Sequence, residues 1–308
     1  HDAIDTITRL KEFGTKGITG IPTGFIDLDR MLGGFQRSDL IVIAARPSVG
    51  KTALALSLAR NIAVDYGIPV GFFSLEMAAS QLSMRLISSQ TGISNHKIRT
   101  GNLTQNDLDV VLKKITPLSN APLYIDDSPT ISLIELRAKA RRLKTEHKVQ
   151  AIFIDYLQLI DSPKADTRER EISIISRTLK QIAKELDIPV IALSQLNRSV
   201  ESRADKRPQL SDLRESGSIE QDADVVLFIY RPEVYGITKW YDKSTDPIEG
   251  VAEIIVGKQR NGPTGAFKMV YRKDLLRFDN GEFGYIREES GSESTEEDFE
   301  DVSDEWES

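Results

Sequence analysis

The feature that most limits what this chain can become is a change of pattern between Asp39 and Ala63. Leu40 to Ala44 is an unbroken apolar run, Ala45-Arg-Pro-Ser-Val-Gly50 is a turn, and Lys51 and Thr52 open a segment rich in Ala and Leu that ends near Ala63. The short apolar run predicts a buried strand, and the Ala/Leu segment predicts a helix. Strand, turn and helix in that order are the setting of a phosphate-binding loop. Backbone amides at a helix start point at an anion, and the helix dipole favours negative charge there. On this reading Ala45, Arg46, Pro47, Ser48, Val49, Gly50, Lys51 and Thr52 cradle a nucleoside triphosphate such as ATP. Lys51 reaches its β- and γ-phosphates and the Thr52 hydroxyl ligates Mg2+. Gly50 is required because the backbone must approach the ligand closely. The strict pattern begins with Gly, whereas this chain has Ala45, so the loop needs support from the rest of the sequence.

Length and composition permit that support. The chain has 308 residues, 40% of them hydrophobic, enough for one large α/β domain or two small ones. There is no cysteine, which excludes disulfides and thiolate metal sites and suits a reducing cytoplasm. His1, His96 and His147 have no metal-ligand spacing. No apolar run reaches membrane-spanning length and no signal peptide is visible, so no membrane partner is expected. The chain opens on His, which fits a fragment of a longer protein. Its net charge of -7 is misleading, because residues 288–308 hold eleven acidic residues and no Lys or Arg, leaving the body at about +4. A mildly basic body permits a polyanionic partner without demanding one.

Along the chain, Ala3, Ile4, Ile7, Leu10 and Phe13 recur near helical spacing, and the Gly-, Thr- and Lys-rich stretch from Gly14 to Gly20 reads as a linker. That stripe docks either on its own core or on a neighbouring subunit. Ile21 to Phe35 reads as a turn and a short helix. Strands are expected at 69–76, 123–127, 151–160, 189–193, 223–229 and 251–256. Helices are expected at 78–90, 105–115, 132–145 and 168–186, with a final hairpin over 266–278. Strands alternating with helices predict an α/β fold with a mainly parallel twisted sheet flanked by helices. The acidic tail lacks periodicity and is expected to be disordered.

Ligands bind at the carboxyl ends of strands in such sheets. Ala151-Ile-Phe-Ile-Asp155 delivers a carboxylate suited to holding magnesium opposite the loop, and Val70-Gly-Phe-Phe-Ser-Leu-Glu76 delivers one suited to polarising an attacking water. Gln195, just past the 189–194 run, is placed to hydrogen-bond a γ-phosphate. Two basic loops follow strands: Asn197 to Ser218, with Arg198, Arg203, Lys206, Arg207 and Arg214, and Asp161 to Glu171, with Lys164, Arg168 and Arg170. Neither contains an aromatic residue, so nucleic acid would be gripped by its phosphates, without base stacking. Charge alone leaves two solvated loops as an equal alternative. Lys258 and Arg260 follow the 251–256 strand. An Arg at the rim of a nucleotide-hydrolysing domain can act in trans on a γ-phosphate, which requires a ring or a filament.

Together Ala45-Arg-Pro-Ser-Val-Gly-Lys-Thr52, Ser74-Leu-Glu-Met77, Ile154-Asp-Tyr-Leu-Gln-Leu159, Ala192-Leu-Ser-Gln-Leu-Asn-Arg198, Ser211-Asp-Leu-Arg-Glu-Ser-Gly-Ser218 and Lys258-Gln-Arg-Asn-Gly-Pro263 resemble the C-terminal RecA-like motor domain of the DnaB-type hexameric replicative DNA helicases, over about residues 1–280. Ala45 is a common variant in that family. The resemblance implies a RecA-like P-loop NTPase in a homo-hexamer that encircles single-stranded DNA and moves 5′ to 3′ with NTP hydrolysis. It implies Lys51 and Thr52 as phosphate and magnesium ligands, Glu76 as the catalytic base, Asp155 as the magnesium-side acid, and Gln195 as the γ-phosphate sensor. Lys258 and Arg260 would reach the neighbour's site. Arg214, Glu215 and Gly217 would line the DNA channel, with Lys164, Arg168 and Arg170 nearby. Residues 1–16 would be a linker helix and hinge, 17–287 the ATPase domain and 288–308 an acidic tail. A helicase loader and primase are implied partners of the full-length protein.

Two features depart from that pattern: the stretch between Tyr230 and Val251 is longer, and the tail is unusually acidic. A recombinase or clock-type RecA-like ATPase is the nearest alternative, but the forms of 212–217 and 258–263 argue against it. A non-hydrolysing DNA-encircling scaffold would require loss of Lys51, Glu76 or Arg260, and all three are present.

Overall fold

A computed structural model of the chain describes residues 18–163, 165–242 and 244–283, without the side chains of residues 214–217. The linker helix expected over 1–16, the tail expected over 288–308 and Lys164 lie outside the described residues.

The architecture follows from the strand at its centre. In β1 (Leu40–Ala45) all six residues are buried. Ile41, Ile43 and Ala45 face one core while Leu40, Val42 and Ala44 face the other, the period-2 division expected of a strand covered on both sides. At about 1.5–3 kcal/mol per buried branched side chain, β1 alone is a large hydrophobic contribution.

Around it lie β2 (Val70–Ser74), β3 (Leu123–Asp126), β4 (Ala151–Asp155), β5 (Val190–Gln195), β6 (Val225–Tyr230), β7 (Val251–Gln259), β8 (Gly265–Arg272) and β9 (Arg277–Asp279). The order is β3-β2-β4-β5-β1-β6-β7-β8-β9, parallel through β6 and antiparallel from β7 to β9. The expectation of a mainly parallel sheet flanked by helices holds. The helices are α1 (Ile26–Leu32), α2 (Lys51–Arg60), α3 (Ala79–Thr91), α4 (Asn95–Thr100), α5 (Gln105–Lys114), α6 (Thr116–Ser119), α7 (Leu133–Glu146), α8 (Arg168–Leu186) and α9 (Gly217–Asp222). Helices α1 to α3 cover one face and α7 and α8 the other. In α8, Ile172, Ile175, Leu179 and Ile182 are buried and Leu186 is partly buried. Among the described residues no helix is long and apolar enough to cross a membrane.

Three expectations change. The strand expected over 151–160 ends at Asp155 and gives way to a 3-10 turn at Leu157–Leu159, whereas the helix expected over 168–186 holds, its first turn capped by the Thr167 hydroxyl accepting from Arg170 N–H at 3.3 Å, so Arg168 and Arg170 of the second basic stretch are helical. Asn197 to Ser218 is not structureless: it contains 3-10 turns at Arg198–Ser202 and Leu210–Ser216 and the start of α9. Strand β7 runs on to Gln259, so Lys258 is a strand residue and Arg260 comes directly after it.

The long stretch between Tyr230 and Val251 is anchored by charge. Lys268, 2% exposed, sits 3.0 Å from Asp242 and 2.9 Å from Asp246, under the Trp240 ring at 4.3 Å. Glu253, fully buried in β7, takes Arg207 at 3.0 Å and the Tyr241 hydroxyl at 2.8 Å.

Candidate nucleotide site

Strand register brings the predicted residues together. Ala45 at the end of β1 is opposite Gln195 at the end of β5, and Ser74 at the end of β2 is opposite Asp155 at the end of β4. Four strand ends therefore present the phosphate loop, Gln195, Asp155 and, two residues past Ser74, Glu76 along one edge of the sheet.

Within the loop Ser48 (φ 64°) and Gly50 (φ 120°) take left-handed backbone conformations, and Gly50 caps α2. A Cβ on Gly50 would lie 3.2 Å from the Phe278 ring, so both conformation and space favour glycine there. Lys51 is nearly buried, with Nζ 4.6 Å from the Tyr156 ring centre. Burial pushes its ammonium pKa down, opposed by the charges of Asp155 and Glu76. A lysine in that state gains strongly from a polyanion placed beside it.

Asp155 is fully buried. Its Oδ2 accepts from the Thr52 hydroxyl at 2.7 Å, and its Oδ1 has no hydrogen-bond partner among the described residues. Burial raises its pKa, against the Thr52 hydrogen bond and the Lys51 charge. A buried, orphaned carboxylate oxygen beside a hydroxyl fits a hard cation. Among the described residues no three His, Cys, Asp or Glu converge to hold a metal by themselves. The donor set thus suits magnesium, which completes its shell with water and substrate phosphates.

Glu76 is exposed on a tight turn in which the Ser74 hydroxyl donates to Met77 O at 2.7 Å and Leu75 N–H donates to Asp155 O at 2.7 Å. That turn locks the Ser74-Leu-Glu-Met77 corner to the Asp155 strand. Gln195 is clamped by Gln158, whose Oε1 accepts from Gln195 N–H at 3.4 Å and whose Nε2 donates to Ser194 Oγ at 3.0 Å.

Two further residues, Arg85 and Arg231, meet the site without having been singled out. Arg85 on α3 makes no hydrogen bond or ion pair among the described residues. Burial pushes its guanidinium pKa down, while Tyr271, Asp155 and Glu76 act in the opposite direction. Arg46 leaves the phosphate loop to bond Leu196 O at 2.9 Å and Glu201 at 2.7 Å, tying the loop to the segment after β5. Arg231, 5% exposed at the end of β6, donates to Val49 O at 3.2 Å, lies 3.8 Å from the Tyr271 ring centre and pairs with Glu233. The phosphate loop thus rests on a stack of Arg231, Tyr271 and Phe278, the two rings 4.9 Å apart.

The remaining candidates lie elsewhere. Arg260 N–H donates to Asp224 O, and Asp224 N–H to Leu40 O, which puts Arg260 level with the start of β1. The phosphate loop follows the other end, about 16 Å away at about 3.3 Å per residue. Arg260 therefore cannot serve its own phosphate loop. Arg168 pairs with Glu171 at 2.7 Å and donates to Gln158 O at 2.5 Å, and Arg170 pairs with Asp166 at 2.5 Å. The backbone of Arg214 and Glu215 lies in the 3-10 run, and Gly217 starts α9. Aromatics do reach the basic loop, from outside it: Tyr235 lies 5.8 Å from Lys206 and Tyr241 lies 4.4 Å from Arg207.

The chain is similar to known proteins in both sequence and fold. The DnaB-like helicase C terminal domain family matches residues 20–280. The replicative DNA helicase DnaC of Bacillus subtilis (strain 168) is 54% identical over 265 residues, 85% of this chain and 57% of that protein. The replicative DNA helicase DnaB of Pasteurella multocida (strain Pm70) is 52% identical over 282 residues, 90% of this chain and 59% of that protein. The chain spans under three fifths of the length of these relatives. Among solved structures, one of an isolated ATPase domain superposes with a TM-score of 0.82 at 41% identity, covering 91% of this chain and 98% of that one. A DnaB-like replicative helicase, described with its interactions with primase, gives 0.81 at 41% identity, covering 91% of this chain and 66% of that one. The chain therefore belongs to the DnaB-like helicase C-terminal domain family and carries its RecA-like ATPase fold.

Proposed function

We propose that this chain is the motor of a ring-forming replicative DNA helicase, which hydrolyses ATP or another NTP at subunit interfaces and moves 5′ to 3′ on single-stranded DNA in the cytoplasm. The observation that carries the reading is the composite geometry. Lys51, Thr52, Asp155, Glu76 and Gln195 share one edge of the sheet, while Arg260 is held at the opposite end of its own β1. Amides of residues 46–52 and Lys51 bind the triphosphate. Thr52 and Asp155 would hold magnesium, which would supply charge neutralisation at the phosphates when bound. Glu76 takes a proton from the water as that water attacks the γ-phosphorus and the bond to the β–γ bridging oxygen breaks, leaving a nucleoside diphosphate and phosphate, and Gln195 bonds a γ-oxygen and senses its departure. Lys258 and Arg260 arrive from the adjacent subunit to neutralise charge developing on the phosphoryl group, which requires head-to-tail subunits, here a homo-hexamer. Single-stranded DNA is gripped at Arg214, Glu215 and Gly217, near Lys164, Arg168 and Arg170. For the full-length protein, a primase and a helicase loader are the expected partners.

The test is ATP turnover with and without single-stranded DNA, for the parent chain and for Lys51→Ala. Turnover that rises with DNA and vanishes in Lys51→Ala supports the motor. Turnover indifferent to the substitution sinks it. Mixing inactive Lys51→Ala with inactive Arg260→Ala subunits should restore activity at mixed interfaces; none at any ratio, with rings intact, removes the trans role. Strand separation without strand exchange sets the helicase apart from a recombinase.

A further inference from the structure

The two cations proposed to act on a neighbouring subunit are held here by a helix whose other end continues into the proposed DNA segment. Lys258 Nζ donates to the carbonyls of Glu220 and Ala223, the latter at 2.7 Å. Arg260 Nη2 donates to Gln221 O at 2.5 Å, its Nε is 3.6 Å from Asp224 Oδ1, and its amide donates to Asp224 O at 3.0 Å. These acceptors lie at and just beyond the C-terminal end of α9, where a helix carries partial negative charge and free carbonyls. At its start, α9 is continuous with the 3-10 run Leu210–Ser216, without an intervening linker.

Helix α9 spans about 9 Å at 1.5 Å per residue. It is not a loose connector: Ile219 and Ala223 are fully buried, and the Ser176 hydroxyl of α8 donates to Asp222 Oδ2 at 2.6 Å. Asp224, just past the helix, also accepts from Leu40 N–H at 2.8 Å and from Lys180, so the same carboxylate that holds Arg260 is fastened to the root of the phosphate-loop strand. Beside it, a cleft of about 260 Å³ lined by Asp39, Asp224, Gln259 and Arg260 leaves room for the guanidinium to move.

We infer that α9 is a lever: DNA occupying residues 210–217 of one subunit shifts α9, and the shift releases Lys258 and Arg260 from its terminal carbonyls and from Asp224 toward the next subunit's nucleotide. Asp224 is a positioning residue, holding Arg260 in store until DNA is present. This rests on the motor reading above and adds to it the route by which DNA stimulates hydrolysis. Because the lever and the site it serves belong to different subunits, stimulation passes around a ring in one direction.

The experiment uses mixed rings in which hydrolysis can occur only in trans. Arg260→Ala subunits keep a complete nucleotide pocket but deliver no arginine; Lys51→Ala subunits deliver one but cannot hydrolyse. Placing Asp224→Asn in the Lys51→Ala subunits should raise DNA-free turnover of the mixture by about two- to fivefold, the weight of one partly exposed ion pair, and shrink the DNA-stimulated ratio correspondingly. Asp224→Asn placed instead in the Arg260→Ala subunits should leave both values unchanged. Equal effects from either placement, or no change in the DNA-free rate with rings intact, would overturn the lever. Silence of the starting mixture would point to failure of the trans reading itself. Ser176→Ala, which loosens α9 from α8 without touching either cation, should repeat the result and serves if Asp224→Asn rings do not assemble.

Discussion

Arg231 gives the sharpest test of how the phosphate loop is held. Its guanidinium is buried and donates to the Val49 carbonyl of the loop. Replacing it with Met keeps most of the apolar stem and removes three interactions: the hydrogen bond to Val49, the contact with the Tyr271 ring and the pair with Glu233. A hydrogen bond from a charged donor contributes about 1.5–3 kcal/mol and a desolvated cation–π contact about 2 kcal/mol. Glu233 keeps the Gly250 amide at 3.0 Å and is partly exposed, so its residual cost is smaller. If about half of the total is felt by the loop, nucleotide affinity falls by roughly 10- to 100-fold, at about 1.4 kcal/mol per factor of ten. The assay is equilibrium titration with a fluorescent nucleotide, beside a denaturant melt of the same samples. Arg231→Lys should recover part of the affinity, since a lysine can still donate to Val49. A variant whose melt shifts while its nucleotide Kd stays within about twofold of the parent would show that Arg231 only packs, and the argument for a supported loop would fail.

Other substitutions probe different parts of the chain. Asp155→Asn and Thr52→Ala should each cut magnesium-dependent turnover about 100-fold or more, while metal-free nucleotide binding changes little; equal losses with and without magnesium would argue against the metal role. Asp39 titrates near about 6 in the folded chain against an ordinary 3.8, because burial and then the Asp224 charge oppose its ionisation. The folded state therefore holds that proton more tightly, and the penalty is absent below pH 3.8, grows toward about 6 and is complete above it. Asp39→Asn should consequently stabilise the chain increasingly over that window, by at most about 3 kcal/mol at neutral pH, and a pH-independent difference in denaturant melts would contradict this. Lys268→Met strands Asp242 and Asp246 around Trp240 and should cost about 3 kcal/mol, read in the same melts; a cost under about 1 kcal/mol would mean that the pair is solvated.

Much of the site was legible because its residues stand at the ends of apolar runs. Asp155 follows four apolar residues and Lys51 follows a strand and a turn, so local pattern alone placed both at strand ends. Arg231 and Gln158 escaped because their partners are far along the chain: Val49 is 182 residues from Arg231, and Ser194 is 36 from Gln158. No local window contains such a pair. Helix α4 escaped because it buries no side chain and therefore carries no apolar period. The segment 197–216 read as open loop because ion pairs hold it. Arg203 grips the buried Asp212 at 2.6 Å and Arg207 grips Glu253, and charge pairing leaves no periodic trace in sequence. The same blindness hid Tyr235 and Tyr241, which bring rings to a basic loop that encodes none.

The position of β1, fifth of nine strands and bonded on both sides, has a consequence for how the molecule breathes. Its amides open only when β5 or β6 is peeled away, so their hydrogen exchange should proceed through near-global unfolding. Residues 46–50, immediately beyond, have no such ladder to hold them. Nucleotide should then slow exchange by different amounts on the two sides of Ala45: strongly in the turn, and in the strand only by the overall gain in stability that binding confers. The boundary between backbone held in a strand ladder and backbone outside any ladder thus falls within a single residue step.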